Sequence, residues 1–586
     1  MPLAWTRLDA EQRSAFNGGD GQGEVRLAYL LGQRTHEVGQ PGGFLRRRSG
    51  SLGAAPYGNL LYVGAPRLGM PGAGYGAHRK ALLQRRKMLY LGANDGLLHA
   101  FDARTGSEVF AYLPQALLHA AAAVASTHYS PGPLLDGAAA TAEVLASGHW
   151  KTVLAAGMGG GAQGVFALDI TDPARFAQDG GLWEFTDRDD RLMGNVRAPP
   201  SFARINMGGK EGAPSYRDVA IVASGYNNHA DDGKDTTAPA AAAAMFLLAL
   251  DKAPGTPWLL GSNYFRLKVP VASGGGGHET DEDTDAVLHA LGPPAVVPGG
   301  DGVLAYLYAG DLQGNIWRLG MAGGPPWKEG QGRKLVFVAR DAQGRRQPVT
   351  QQPSVAYAPG GGYVLLFGTG KLVEAADNWP AAFLSQSFYA VHDDLRETSP
   401  TRSRADLEPR SLGEAVGGVR VDGAELRYTG SEAMRGWYLD FLHTAQTGER
   451  SINSPVLAAG KVLFNTVLPG RDPCTKPATR LYVLDVLSGF AADGAGVVQA
   501  GAQTGRLFDG LARAPPLALE LNSTVGAATA AGRAEGRKEL AVLQPGLPGA
   551  ASGTVLKVVS APLPARRLSW REVANWRELH EAAKKK

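Results

Sequence analysis

The chain has 586 residues, among them 79 Gly, 37 Pro and a single Cys, and only 19% are charged. Glycine and proline together make up about a fifth of it, which breaks helices and multiplies tight turns and so excludes a helical bundle or long coiled coil. The net charge of +4, from 59 Lys+Arg against 55 Asp+Glu, is too balanced to argue for nucleic acid, and no apolar run is long enough to cross a bilayer as a helix.

The first residues carry Asp9, Glu11 and Asp20 without an apolar core, so no signal peptide is visible. Residues 1–50 are read as a lead with one short helix, Leu8–Phe16. At Met88 the chain runs MLYLGANDGLLHAFDARTGSEVFAYLP. Apolar residues alternate, Asn94-Asp95-Gly96 supplies a turn, alternation resumes, and Thr105-Gly106 turns again, which predicts three short antiparallel strands. Pro114–Ala125 is Ala-rich enough for a helix.

The same logic then recurs. TVLAAGM from Thr152, GVFALDI from Gly164 and LWEF from Leu182 form a second copy. DVAIVASGYNN from Asp218 with MFLLALD from Met245 is the third, and YLYAGDLQGNIWRLG from Tyr306 the fourth. YVLLFGTGKLVE from Tyr363 with SFYAVHD from Ser387 is the fifth, VLFNTVLPG from Val462 with RLYVLDVLSG from Arg480 the sixth. ELAVLQPG from Glu539, TVLKVVSA from Thr554 and LSW at Leu568 make a weaker seventh. Pro56, Pro133, Pro200, Pro294, Pro353, Pro455 and Pro516 each stand ahead of one further strand, a place that suits a residue with no N–H to donate. Each unit therefore reads as about four strands, recurring every 60 to 100 residues or so. The stretches Asn228–Ala244, Gly274–Asp285 and Arg396–Gly418 are read as insertions, and Trp570–Lys585 as a terminal helix.

About seven four-stranded sheets set radially make a β-propeller; two β-sandwiches are the alternative, and recurrence of one pattern from end to end favours closure. The expected fold is all-β, a modified seven-bladed propeller spanning 51–570, between the 1–50 lead and a 571–586 helical tail.

Specific strings carry a resemblance. LYLGANDGLLHAFDARTGSEVFAYLP, WKTVLAAGMGGGAQGVFALDITDP, LYAGDLQGNIWRL, LLFGTGKLVE, GERSINSPV and the Asp472-Pro473-Cys474 segment together resemble the C-terminal domain of PilY-type proteins, which include the neisserial PilC proteins. The likeness runs from about Ala28 to Trp570. It implies a quinoprotein-like seven-bladed propeller without enzymatic activity. It also implies a place at the type IV pilus tip and cell surface after export, with minor pilins as partners. The implied roles are promoting extension, opposing retraction, and adhering to host or abiotic surfaces. Relatives carry a signal peptide and an N-terminal region that are not seen here, so a fragment or a separate polypeptide is expected.

The resemblance also implies calcium in an acidic loop before the AGDLQGN strand. Here that loop is Pro298-Gly299-Gly300-Asp301-Gly302, leaving Asp301 as the sole acidic ligand where calcium takes about six or more oxygens. Calcium is expected to be weak or lost there. Asp281, Asp283 and Asp285 alternate nearby but lie too early, and a solvated acidic loop is the simpler reading.

The enzyme rival is a quinone-cofactor dehydrogenase relative. That class typically sets adjacent cysteines against its cofactor, and Cys474 is alone. A surface adhesin uncoupled from pili is a third reading. Gly159-x-Gly161-x-x-Gly164 satisfies a dinucleotide pattern, but a strand follows it where a helix N-terminus is required, so it is read as a hairpin turn. His99 is read as a core or groove residue. Trp317, Trp379 and Trp437 are read as packing between blades.

Overall fold

Alternating apolar residues between tight turns build antiparallel sheets, and the first sheet shows how. Leu61–Val63, Met88–Gly92, Leu98–Asp102 and Glu108–Tyr112 pair in that order, antiparallel throughout. Gly96 sits at φ 90° in the intervening turn, a region that costs a residue without Cβ nothing. The structure is a computed structural model. It describes residues 3–55, 60–66, 70, 72–210, 213–230, 243–270, 290–325, 327, 332–430, 433–442, 444–470, 475–492, 498–525, 536–545, 547 and 553–559.

Six more sheets follow in chain order. The second joins Ala139–Ala146, His149–Gly157, Gly164–Asp169 and Gly181–Thr186, and the third Ser201–Lys210, Ala213–Ala223, Ala243–Ala249 and Tyr264–Val269. The fourth joins Ala295–Pro298, Leu304–Gly310, Asn315–Gly320 and Arg333–Val338. The sixth joins Val456–Ala458, Lys461–Leu468, Ala478–Asp485 and Arg506–Asp509, and the seventh has three strands, Leu517–Val525, Gly536–Leu543 and Gly553–Val559.

The fifth sheet has seven strands and corrects one expectation. Its first three ranges are Ser354–Tyr357, Tyr363–Gly368 and Ser387–Asp393, followed in space by Gly436–Asp440. The segment read as the polar insertion Arg396–Gly418 supplies the strand Glu408–Ala415, whose Glu408, Pro409 and Arg410 run parallel to Trp437–Leu439. Polar composition hid it. Arg410 is buried, with its Nε donating to Ser488 O and its guanidinium over the Phe490 ring, so a charged residue does the packing of an apolar one. Expecting about four strands per unit thus holds for five sheets and fails for the fifth and seventh among the described residues.

Proline placement follows the missing N–H. Pro200, Pro294, Pro353, Pro455 and Pro516 each directly precede the first strand of a sheet, while Pro133 stands a short loop ahead of Ala139. Pro56 lies outside the described residues.

The chain divides into two compact units, residues 1–271, 280–307 and 320–332 in the first and 272–279, 308–319 and 333–586 in the second. In the first, period-two alternation sends one strand into two cores. Val153 and Ala155 pack with Ala220, Val222, Phe246 and Leu248 of the third sheet, whereas Leu154 and Ala156 pack with Met88, Tyr90, Leu98 and Ala100 of the first. Both faces of the second sheet are therefore covered by neighbouring sheets. The second unit repeats this. Val462 and Phe464 join Val364, Leu366, Phe388 and Trp437 of the fifth sheet, and Leu463 turns to Val542 of the seventh.

The expected helices at the start of the chain lie in the first unit, while the second unit has only short turns of helix among the described residues, such as Thr444–Thr447. The helix expected at Leu8–Phe16 spans Ala10–Asn17 behind an Asp9 capping box. It packs with Gly23–Leu30 and with Leu118–Ala123, the helical part of the expected Pro114–Ala125, which opens as a tighter 3-10 turn at Gln115–Leu117. The expected helix Trp570–Lys585 and the insertion Gly274–Asp285 lie outside the described residues, as does most of Asn228–Ala244.

Candidate functional site

Asp301 occupies an exposed turn between Ala295–Pro298 and Leu304–Gly310. Its Oδ1 accepts the Val303 N–H at 3.0 Å, the Gly299 N–H donates to Val303 O at 2.7 Å, and the Gly302 N–H donates to Gly299 O at 3.0 Å. The carboxylate and the nearest carbonyls are thus engaged in closing the turn. Among the described residues no three His, Cys, Asp or Glu side chains gather in an arrangement that holds a metal. One carboxylate so engaged does not fit calcium, which takes about six or more oxygens.

Gly159 and Gly161 lie in the turn between two strands of the second sheet, and Gly164 opens the second of those strands. A Cβ on Gly159 would lie 1.9 Å from Asp136 Oδ1, and one on Gly161 would lie 2.2 Å from Leu134 O. Close backbone approach explains them, and the Gly160 N–H donates to Asp136 Oδ1 at 2.7 Å. Cys474, Asp281, Asp283 and Asp285 lie outside the described residues. Trp317 and Trp437 are buried, as a packing role requires, but Trp379 is 64% exposed, which corrects its assignment.

His99 is buried between two carboxylates. Its Nδ1 lies 2.6 Å from Glu108 Oε1 and its Nε2 lies 3.1 Å from Asp95 Oδ2. Burial is the strongest influence and opposes charge on the ring, yet Asp95 and Glu108 outweigh it and the pKa rises above its ordinary value. Asp95 Oδ2 also accepts the Gly53 N–H at 2.8 Å, and the Asn94 N–H donates to Ala54 O at 2.8 Å. The His99–Asp95 pair therefore fastens the segment at Gly53 and Ala54 to the first sheet.

A carboxylate turn that sequence reasoning passed over recurs through the molecule. Asp311 is fully buried. Its Oδ1 accepts the Gln313 and Asn315 N–H groups at 2.9 Å, and its Oδ2 accepts Asn315 Nδ2 at 2.9 Å and Trp317 Nε1 at 2.8 Å. Asp102, Asp341 and Asp485 likewise take two backbone amides each from the turn that follows them. The signal was present as DARTG, DLQGN, DAQGR and DVLSG, an Asp with Gly three or four residues on.

The GERSINSPV string folds into a buried polar cluster of the second unit. Glu449 accepts from Thr466 Oγ1 at 2.6 Å and Tyr482 OH at 3.0 Å, with Arg480 Nε 3.3 Å away. Burial pushes its pKa up despite these partners. Asn453 Nδ2 donates to Asn465 Oδ1 at 2.9 Å, and Asn465 Nδ2 donates to Gln544 Oε1 at 2.8 Å, which ties the sixth sheet to the seventh. Arg450 donates to the Lys371 and Asp377 carbonyls at 2.8 Å and lies over Phe383. Most donors and acceptors here meet across strands, while Glu449 Oε2 and Arg480 Nε are buried without a hydrogen bond. Such a network stiffens a scaffold, and the loop it anchors displays Trp379 to solvent. Tyr357, 84% exposed beside Tyr363 at 5.7 Å, is a second displayed aromatic of this unit.

Comparison with known proteins adds to this geometry. The family model of the PilY1 β-propeller domain matches residues 49–239 and 283–414. A type IV pilus biogenesis factor PilY1 homolog of Xylella fastidiosa is 32% identical over 425 residues, covering 69% of this chain and 26% of that protein. The type IV pilus biogenesis factor PilY1 of Pseudomonas aeruginosa strain PAK is 27% identical over 544 residues, covering 83% of this chain and 43% of its own length. The chain therefore spans less than half the length of these relatives. Among solved structures, the Pseudomonas aeruginosa PilY1 C-terminal domain superposes with a TM-score of 0.59 at 25% identity, covering 86% of this chain and 99% of that one.

Proposed function

The chain belongs to the PilY1 β-propeller family, and from that premise we propose that it is a non-enzymatic assembly and interaction module of type IV pilus biogenesis. It works at the pilus tip on the cell surface, with minor pilins as partners, promoting extension, opposing retraction and adhering to surfaces. The observation that carries this reading is the match to PilY1 in sequence and in fold over most of the chain. The side-chain chemistry supports it. The buried carboxylate Asp311 takes donors from its own turn and strand, and Glu449 takes donors from two paired strands of the sixth sheet, an arrangement that holds a surface rigid. Rigid aromatics are efficient contact residues because little entropy is lost on docking, so Trp379 and Tyr357 are placed at the contact surface.

The propeller itself is assigned to 51–570 as seven blades, with 1–50 as lead and 571–586 as tail. Seven sheets in chain order, with cores joining the first to third and the fifth to seventh of them, support that reading. Deletion of the gene is expected to abolish surface pili and twitching, and the tagged protein to copurify with minor pilins. Normal piliation and motility in the deletion strain overturn the reading.

A further inference from the structure

The stretch of the first sheet from the helix after its first strand to the turn before its fourth is one-sided in charge. From His78 to Ser107 it carries Arg79, Lys80, Arg85, Arg86, Lys87 and Arg104 against only two carboxylates, Asp95 and Asp102, both buried. Asp95 is held by His99 and Gly53, and Asp102 by Arg86 and its own turn. Neither offers free negative charge.

Contacts sort the side chains. Tyr75, His78 and Arg85 turn inward: Tyr75 is buried, His78 Nε2 lies 2.8 Å from Glu143 Oε2, and Arg85 donates to Thr152 Oγ1 at 2.5 Å. The helix Tyr75–Ala81 ends at Leu82, and a turn closed by Leu83 N–H to Lys80 O and Arg85 N–H to Leu82 O follows it. Arg79, Lys80, Leu83, Arg86 and Lys87, on the helix and the turn and segment after it, are all exposed, with Leu83 at 54%. The Ala103 N–H donates to Lys87 O at 2.9 Å, which draws the exposed Arg104 turn alongside. Among the described residues Lys80, Lys87 and Arg104 pair with no carboxylate.

We propose that this surface docks on an anionic lipid membrane, with headgroup phosphates meeting Arg79, Lys80, Lys87 and Arg104 while Leu83 enters the interface. Charge complementarity selects a polyanion, since clustered Lys and Arg are drawn to negatively charged leaflets. Leu83 decides which one. A large aliphatic side chain flanked in sequence by cations gains nothing against a nucleic acid backbone, whereas the headgroup–acyl boundary accepts both.

Flotation with vesicles of phosphatidylcholine alone, and of phosphatidylcholine mixed with phosphatidylglycerol, tests the proposal on the whole chain. Binding is expected only to the phosphatidylglycerol vesicles, with release at high salt. The triple variant Lys80→Glu, Lys87→Glu, Arg104→Glu is expected to bind on the order of 100-fold more weakly. Leu83→Ser, which keeps every charge, is expected to bind several-fold more weakly. These side chains are exposed, so both variants should keep the wild-type circular dichroism spectrum and melting curve. Should the triple variant melt early, Lys80→Gln with Lys87→Gln gives the same reading at a smaller loss. The proposal is overturned by absent or lipid-independent flotation, or by charge variants that bind like wild type. Binding to duplex DNA that is equally strong and indifferent to Leu83→Ser overturns it as well.

Discussion

Two acidic turns of the fourth sheet, at Asp301 and at Asp311, share a residue type and differ in almost everything that gives it value. Asp301 is exposed and its carboxylate accepts one backbone amide. Asp311 is fully buried and accepts from two backbone amides, an asparagine and a tryptophan. The difference teaches that a carboxylate's worth in this fold comes from the donors it gathers, not from whether the surrounding string resembles a ligand loop. An exposed acceptor that loses its partner finds water, while buried donors that lose theirs find nothing.

Asp311→Ala breaks the comparison at its strong end. It strands the Trp317 indole N–H, the Asn315 amide and two backbone N–H groups in the interior. The expected loss is about 4 kcal/mol or more, read as a lower urea midpoint. Asp311→Asn keeps the shape but turns an NH2 toward the Trp317 and Asn315 donors, or leaves the two backbone amides facing it, and is expected to cost about 2 kcal/mol. An alanine variant as stable as wild type shows that the network contributes little.

The repeat that frames these turns was legible because hairpins are local. Alternation, Gly at turns and Pro at strand entries are written within a few residues of one another, so the strands around Met88, Thr152, Tyr306, Tyr363 and Val462 were all readable. The strand Glu408–Ala415 was not, since Arg410 packs as an apolar residue and its partner strand Gly436–Asp440 comes later in the chain. The Glu449 cluster was hidden for the same reason: Thr466 and Tyr482 reach it only through strand pairing. The helix Tyr75–Ala81 is short and begins after a glycine-rich stretch, which left little periodicity to detect. Exposure separates Trp379 from Trp317, and no local pattern encodes it.

His99 extends the comparison to a titrating group. It stands between Asp95 and Glu108, and the charges facing it from its own and the adjoining strand are these two carboxylates. Its raised pKa means that the folded state holds the proton more tightly than the unfolded chain. The stability it contributes is complete below the unfolded value of 6.5 and disappears as pH rises through the higher folded value. His99→Gln is therefore expected to cost about 2 kcal/mol near pH 6 and markedly less near pH 9. The loss should fall first on the segment held at Gly53, measured as faster amide exchange there. A cost that is flat with pH contradicts the charged pair.

The smallest expected effect lies at the weak end of the comparison. Asp301→Ala removes one acceptor from an exposed turn whose remaining bonds, Gly299 N–H to Val303 O and Gly302 N–H to Gly299 O, are made by backbone. Glycine at 302 already sits at φ 76°, so the turn keeps its conformation without the side chain. The cost is expected to be less than about 1 kcal/mol. Because this turn does not fit calcium, wild type and Asp301→Ala are expected to melt with the same dependence on added calcium. A calcium-induced rise in melting temperature that Asp301→Ala abolishes places the ion at this turn after all. That result also requires further oxygen ligands from outside the turn, since one carboxylate with the Gly299 and Val303 carbonyls falls short of the roughly six or more that calcium takes.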